Sequence, residues 1–187
     1  MILVEEKRAT LNDLHSVPGK AELIGGRIVR YMSTGLKPGR IARNILFLIA
    51  EFVRSFGRGE VLADNVGYAV PELPSGRQSF SPDVSYHNGP DQDDEMEFIQ
   101  GPPAFAVEVR SKDGYGKSAM SKMAEKRADY FAAGTKVVWD VDTKNECIHV
   151  FSIDAPTEKR TFKLGEIADA EPALPGWRVE VNKIFMK

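Results

Sequence analysis

Ile41, Ile45, Leu48, Ile49, Phe52 and Val53 recur at the spacing of one helical face, which predicts an amphipathic helix ending near Ser55-Phe56-Gly57. Upstream, Thr10 with Asp13 three residues on caps a short helix carrying Leu11 and Leu14, and Pro18-Gly19 stops it. Ala21-Glu22-Leu23-Ile24 and Arg27 to Tyr31 flank Gly25-Gly26, a two-residue hairpin signal that places Glu22 on a strand. Residues 60–70 are β-like, 71–76 form a loop, and 82–86 read as a strand. In the next strand Phe105, Val107 and Val109 share one face, while Ala104, Ala106, Glu108 and Arg110 share the other. A helix follows over 118–133, with Met120, Met123, Ala124, Tyr130 and Phe131 as its apolar stripe, Lys126 beside that stripe and Gly134 as its stop. Strands over 136–142 and 146–151 make a hairpin across Thr143-Lys144-Asn145, and 159–164 and 176–181 predict two more. The order implies an α/β fold, a mixed β-sheet flanked by a helix on each side and preceded by an N-terminal helix and hairpin.

Length changes little in this picture: 187 residues fit a single domain over 1–187. The net charge of -2 removes any whole-molecule attraction for a polyanion, so a nucleic-acid surface has to be a local basic patch. Cys147 is the single cysteine, which excludes an intrachain disulfide and a cysteine-based zinc site. The apolar run in Met1 to Arg8 is too short for a signal peptide, and no stretch reaches membrane-spanning length, so the expected compartment is the cytoplasm.

The chemistry concentrates between Ser81 and Lys126. Asp83 and Glu108, carboxylates on neighbouring strands, are the residue types that hold magnesium, an ion that takes one or two protein carboxylates beside substrate phosphate. Such an ion polarises a phosphoryl oxygen, and a nearby cation, Lys126 or Arg110, would offset the charge building there. The bland alternative has Asp83 capping a turn and Glu108 pairing with Arg110 on a solvated face. Against it, Glu108 interrupts an apolar strand between Val107 and Val109, where a charge needs a partner.

Other candidates favour structural roles. His15, His87 and His149 lack ligand spacing, Tyr130 and Trp139 fit a core, and Asp140 with Asp142 fit a solvated strand face or turn cap. Arg40, Arg43 and Arg54, with Lys117, Lys122 and Arg127, offer either a phosphate-contacting surface or solvated helix faces. The acidic loop at Asp91 to Glu97 would repel a DNA backbone.

The runs Val107-Glu108-Val109-Arg110-Ser111, Glu125-Lys126-Arg127-Ala128-Asp129-Tyr130-Phe131-Ala132-Ala133-Gly134 and Val138-Trp139-Asp140-Val141-Asp142 resemble the Uma-two family of restriction endonucleases, within the PD-(D/E)xK nuclease superfamily. Glu22-Leu23-Ile24-Gly25-Gly26 and Pro82-Asp83-Val84-Ser85 extend the likeness over nearly the whole chain. The resemblance implies a restriction-endonuclease-like core and an Mg2+-dependent site, with Mn2+ as a substitute. Asp83 and Glu108 match the metal-binding carboxylates, and Lys126 a catalytic lysine carried on the following helix. Glu22 matches an accessory metal or water ligand, and Arg110 stands where the family often has an aliphatic residue. The expectation is a DNA endonuclease, acting as a homodimer because cutting both strands calls for two sites. The alternatives are an inactive nuclease-like scaffold that binds nucleic acid or a protein partner, and a hydrolase of RNA or another phosphodiester.

Overall fold

The computed structural model describes residues 8–187, so the start read as too short for a signal peptide lies almost wholly outside the described residues. In chain order the elements are α1 (Leu11–His15), β1 (Ala21–Ile24), β2 (Arg27–Arg30), α2 (Leu36–Phe56), β3 (Glu60–Ala63), β4 (Tyr68–Ala69), β5 (Ser79–Phe80), β6 (Val84–His87) and β7 (Ile99–Gln100). They continue with β8 (Phe105–Val109), α3 (Lys117–Ala133), β9 (Val137–Asp142), β10 (Cys147–Ser152), β11 (Ala155–Lys163), β12 (Ile167–Asp169), β13 (Arg178–Glu180) and α4 (Val181–Phe185).

A six-stranded sheet in the order β11-β10-β9-β8-β6-β3 forms the centre. Only β8 and β9 run parallel; the other neighbours are antiparallel. Parallel neighbours need a crossover, and α3 supplies it, which is what lays that helix over one face of the sheet. On the opposite face, Ile41, Ile45, Ile49 and Val53 of α2 pack with Val84, Phe105, Val107, Trp139 and Trp177. Their burial follows the helical periodicity of the sequence and supplies most of the core. The α3 side holds a smaller cluster of Tyr68, Val70, Phe80, Ala106, Tyr130 and Val138.

Local chemistry sets the boundaries. Thr10 and Asp13 form a reciprocal capping box at α1. Gly25 and Gly26 both take positive φ, 59° and 71°, the geometry a two-residue hairpin turn demands. α2 begins at Leu36, ahead of Pro38, because a proline in the first turn forfeits no helical hydrogen bond.

Two expectations are corrected. Met120 and Ala124 lie on the exposed side of α3, and its buried residues are Lys126, Asp129 and Tyr130. Asp140 and Asp142 are not on a solvated face: both are buried, at 1% and 2% exposure, and Asp142 instead caps the β9–β10 turn by accepting the Lys144 and Asn145 N–H groups. The short strands β4, β5, β7 and β12 carry too few residues for a periodic signal. Among the described residues no helix is long and apolar enough to cross a membrane.

Candidate active site

Glu108 is the fourth residue of β8, and strand alternation aims it at α3 together with Ala106. Asp83 precedes β6 and is clamped astride residue 108: its N–H donates to the Val107 carbonyl at 3.0 Å, and its Oδ2 accepts the Val109 N–H at 2.7 Å. From α3, Lys126 reaches down to Glu108 Oε1 at 2.7 Å and to Glu22 Oε1 at 2.9 Å. Its ammonium is 9% exposed at the side chain, so it is an interior cation despite its place on a surface helix. Tyr130, one turn further along α3, donates its hydroxyl to the same Glu108 oxygen at 2.7 Å while its ring stacks on Phe80.

Asp83, Glu108 and Lys126 thus line one cleft of about 420 Å³, which Lys20, Tyr31 and Asp64 also border. Lys20, just before β1, places its ammonium 2.5 Å from Asp83 Oδ1 and 2.7 Å from Asp64 Oδ1.

Glu22 is fully buried and saturated with donors. Oε1 accepts the Ser81 N–H at 3.0 Å and pairs with Lys126; Oε2 accepts the Tyr31 hydroxyl at 2.7 Å and the Arg77 guanidinium. Four partners fill the acceptor positions of a carboxylate, leaving none for a metal ion. These contacts hold Lys126 beside Glu108 and leave no free Glu22 oxygen for the accessory metal or water contact expected of it. Arg77 in turn bonds Asp129 Oδ2 at 2.8 Å, so α3 is fastened to the β1 hairpin by a continuous chain of buried ion pairs.

Charge states follow from these contacts. Burial alone would lower the Lys126 pKa, but Glu108 and Glu22 override it and hold it above the usual lysine value. Burial pushes Glu22 up, yet Lys126 and Arg77 outweigh it and bring the carboxyl down to about 2. For Glu108 burial prevails: its pKa is raised, Lys126 opposing and the Asp83 charge adding to the rise.

Arg110 borders the same cleft, but its guanidinium turns to β9. Its Nε and Nη2 clasp Asp140 at 2.6 and 2.7 Å, and Nη1 donates to Asp142 Oδ2 at 3.0 Å. A bidentate grip on one buried carboxylate with a second alongside commits the guanidinium to β9, away from the charge-offsetting role expected of it. Asp142, Cys147 and His149 also gather, their ligand atoms within 4.8 Å of one another. Asp142 already accepts from Arg110, Tyr115 and Asn145, and this trio reads as part of the same packing network. Of the basic residues weighed for phosphate contact, Arg127 stacks on Phe151 at 3.7 Å, while Lys117, Lys122, Arg43 and Arg54 are exposed.

The donor set suits a hard divalent ion. Asp83 and Glu108 offer carboxylate oxygens in one cleft, and Glu108 Oε2 has no hydrogen-bond partner among the described residues. Two carboxylates lining one cleft, one of them with burial already opposing its ionisation, are an arrangement that a cation would complete.

Lys20, Tyr31, Asp64, Arg77 and Asp129 escaped the sequence reading. Lys20 lies two residues before Glu22 at the entry to β1, and Lys126 and Asp129 share a helical face, so periodicity carried a signal for Lys20 and Asp129. Arg77 sits in an irregular segment that has none.

A solved structure described as a putative nuclease from Anabaena variabilis superimposes with a TM-score of 0.74 at 17% identity, covering 94% of this chain and 97% of that one. It shares the fold, a mixed α/β sheet flanked by helices. No curated protein matches the chain significantly. The family model Uma2, described as putative restriction endonuclease, matches residues 11–182, and the chain belongs to that family.

Proposed function

We propose that this nuclease-family protein is a divalent-metal-dependent endonuclease that hydrolyses DNA phosphodiester bonds. The observation that carries the reading is the Lys126 ammonium held between Glu108 and Glu22, in the cleft that Asp83 lines. Asp83 and Glu108 are the residues to hold magnesium, with manganese as a substitute. When bound, the ion supplies Lewis-acid polarisation of a phosphoryl oxygen.

The chain's own residues do the rest. The Val109 N–H fixes the Asp83 carboxylate, and the Tyr130 hydroxyl fixes Glu108, so neither acid has to reorganise when the substrate arrives. Lys126 stays protonated and therefore acts as a donor rather than a base. Two of its three N–H groups face Glu22 and Glu108, and the third is available to a water or a phosphate oxygen. Glu22 is a positioning residue: it holds Lys126 beside Glu108 and touches no substrate. Exposed Arg43, Lys117 and Lys122 are the candidates for contacts to the DNA backbone. Cutting both strands calls for two copies of the site, and a homodimer would supply them.

The test is incubation of supercoiled plasmid with Mg2+ or Mn2+. Wild type nicks or linearises the plasmid, while Asp83→Ala and Lys126→Ala do not. Equal cleavage by wild type and Asp83→Ala refutes the assignment; cleavage by none, with DNA retention intact, points to a binding scaffold.

A further inference from the structure

Lys20 is unaccounted for by any role above, yet it makes the shortest polar contact to a proposed metal ligand. Its ammonium lies 2.5 Å from Asp83 Oδ1 and 2.7 Å from Asp64 Oδ1, a single cation bridging two carboxylates. The other Asp83 oxygen is spoken for by the Val109 N–H at 2.7 Å. The oxygen best able to face an ion is therefore the one Lys20 occupies. Glu108 and Asp83 also sustain the ammonium electrostatically, so Lys20 sits in the negative field that an ion would seek.

An ammonium and a divalent ion cannot share that oxygen at close range, because two cations a few ångströms apart repel strongly where water is scarce. We propose that Lys20 and the divalent ion are alternative partners of Asp83, Lys20 withdrawing onto Asp64 when the ion binds. The inference rests on the metal reading of Asp83 and Glu108 above. The parts suit such an exchange. The Lys20 backbone is fixed, its carbonyl accepting the Tyr31 N–H at 2.9 Å, while the charge rides on a flexible four-carbon stem. Asp64 is half exposed and lies just after β3, so the ammonium can follow it toward solvent without crossing the core. Lys20 then acts as a built-in competitor that lowers metal affinity, and it remains beside the cleft as a cation once displaced.

The test is a titration of Mn2+ with free ion followed by electron paramagnetic resonance, on the full chain without DNA. Wild type, Lys20→Met, Asp64→Asn, the double variant and Lys159→Met are compared, each checked for folding by circular dichroism. Lys20→Gln replaces the methionine variant should that one not fold. Lys20→Met is expected to tighten Mn2+ binding by about tenfold or more, as removal of a contacting like charge requires. Lys159→Met, the same charge change on exposed β11, leaves it within about twofold, since exposed charges beyond a Debye length are screened. Asp64→Asn weakens binding in wild type and does so much less in the Lys20→Met background, where only its own field on the ion remains. Unchanged or weaker Mn2+ binding in Lys20→Met overturns the inference while leaving the metal site standing. An Asp64→Asn effect undiminished in the double variant overturns it in favour of Asp64 acting on the ion without Lys20. No binding by any variant overturns the metal reading and this inference together.

Discussion

Glu22→Gln removes one charge from the centre of the ion-pair chain and changes almost no volume. In wild type the carboxylate accepts from Ser81, Lys126, Tyr31 and Arg77 with no exposed surface. The amide keeps one acceptor oxygen and turns the other position into a donor that meets Tyr31 and Arg77, or Lys126, head on. Removing one partner of a buried pair costs about 3–5 kcal/mol, since the charges left behind stay desolvated. A second route gives a similar size. The Glu22 pKa falls from 4.5 to about 2 on folding, and each unit is worth about 1.4 kcal/mol, so ionisation contributes about 3 kcal/mol. Because the folded-state value is the lower one, that stability is complete above pH 4.5 and is lost as pH falls toward 2. Urea unfolding from pH 7 down to pH 3 reads both effects. Wild type should lose stability steeply below pH 4.5, and Glu22→Gln should start about 3 kcal/mol lower at pH 7 with that part of the acid limb missing. A variant within about 1 kcal/mol of wild type at pH 7, or parallel acid limbs, would refute the reasoning.

Lys126→Met should cut plasmid cleavage by about a hundredfold or more while Mn2+ binding is kept or tightened, because it removes a donor and a neighbouring like charge but not a ligand; steady-state rates against Mn2+ titrations separate the two. Arg110→Met should destabilise by about 3–5 kcal/mol through the stranded Asp140 and Asp142, measured by urea unfolding, with Mn2+ affinity of the folded fraction unchanged. Tyr130→Phe should cost about 1 kcal/mol and, by freeing the Glu108 carboxylate from its hydroxyl, reduce the cleavage rate more than it reduces stability.

The framework was legible wherever a repeat of period two or 3.6 runs long enough. α2, the β1–β2 hairpin, β8 and the β9–β10 hairpin all lie where apolar spacing and turn residues place them. Glu108 stood out as a charge in the wrong chemical company, between two valines that are both buried, while Asp83 and Lys126 were drawn to it through the family resemblance. What stayed hidden depends on contacts between distant segments. Lys126 and Asp129 occupy the face of α3 where apolar residues were expected, because that face packs on a charged site rather than on oil, and Met120 takes the exposed side instead. Arg110 shares the Glu108 face as alternation requires, but its guanidinium follows β9, whose Asp140 is the register partner of Glu108. No local pattern around Arg110 could say which neighbouring carboxylate it would choose. Arg77, with no periodic setting at all, was invisible for the same reason.

Crystals soaked in Mn2+ and measured at its absorption edge test the central claim most directly. The account predicts an anomalous peak bonded to Asp83 and Glu108 oxygens at about 2.2 Å, next to the Lys126 ammonium. A peak among Asp142, Cys147 and His149 with none at Asp83 and Glu108 would contradict it.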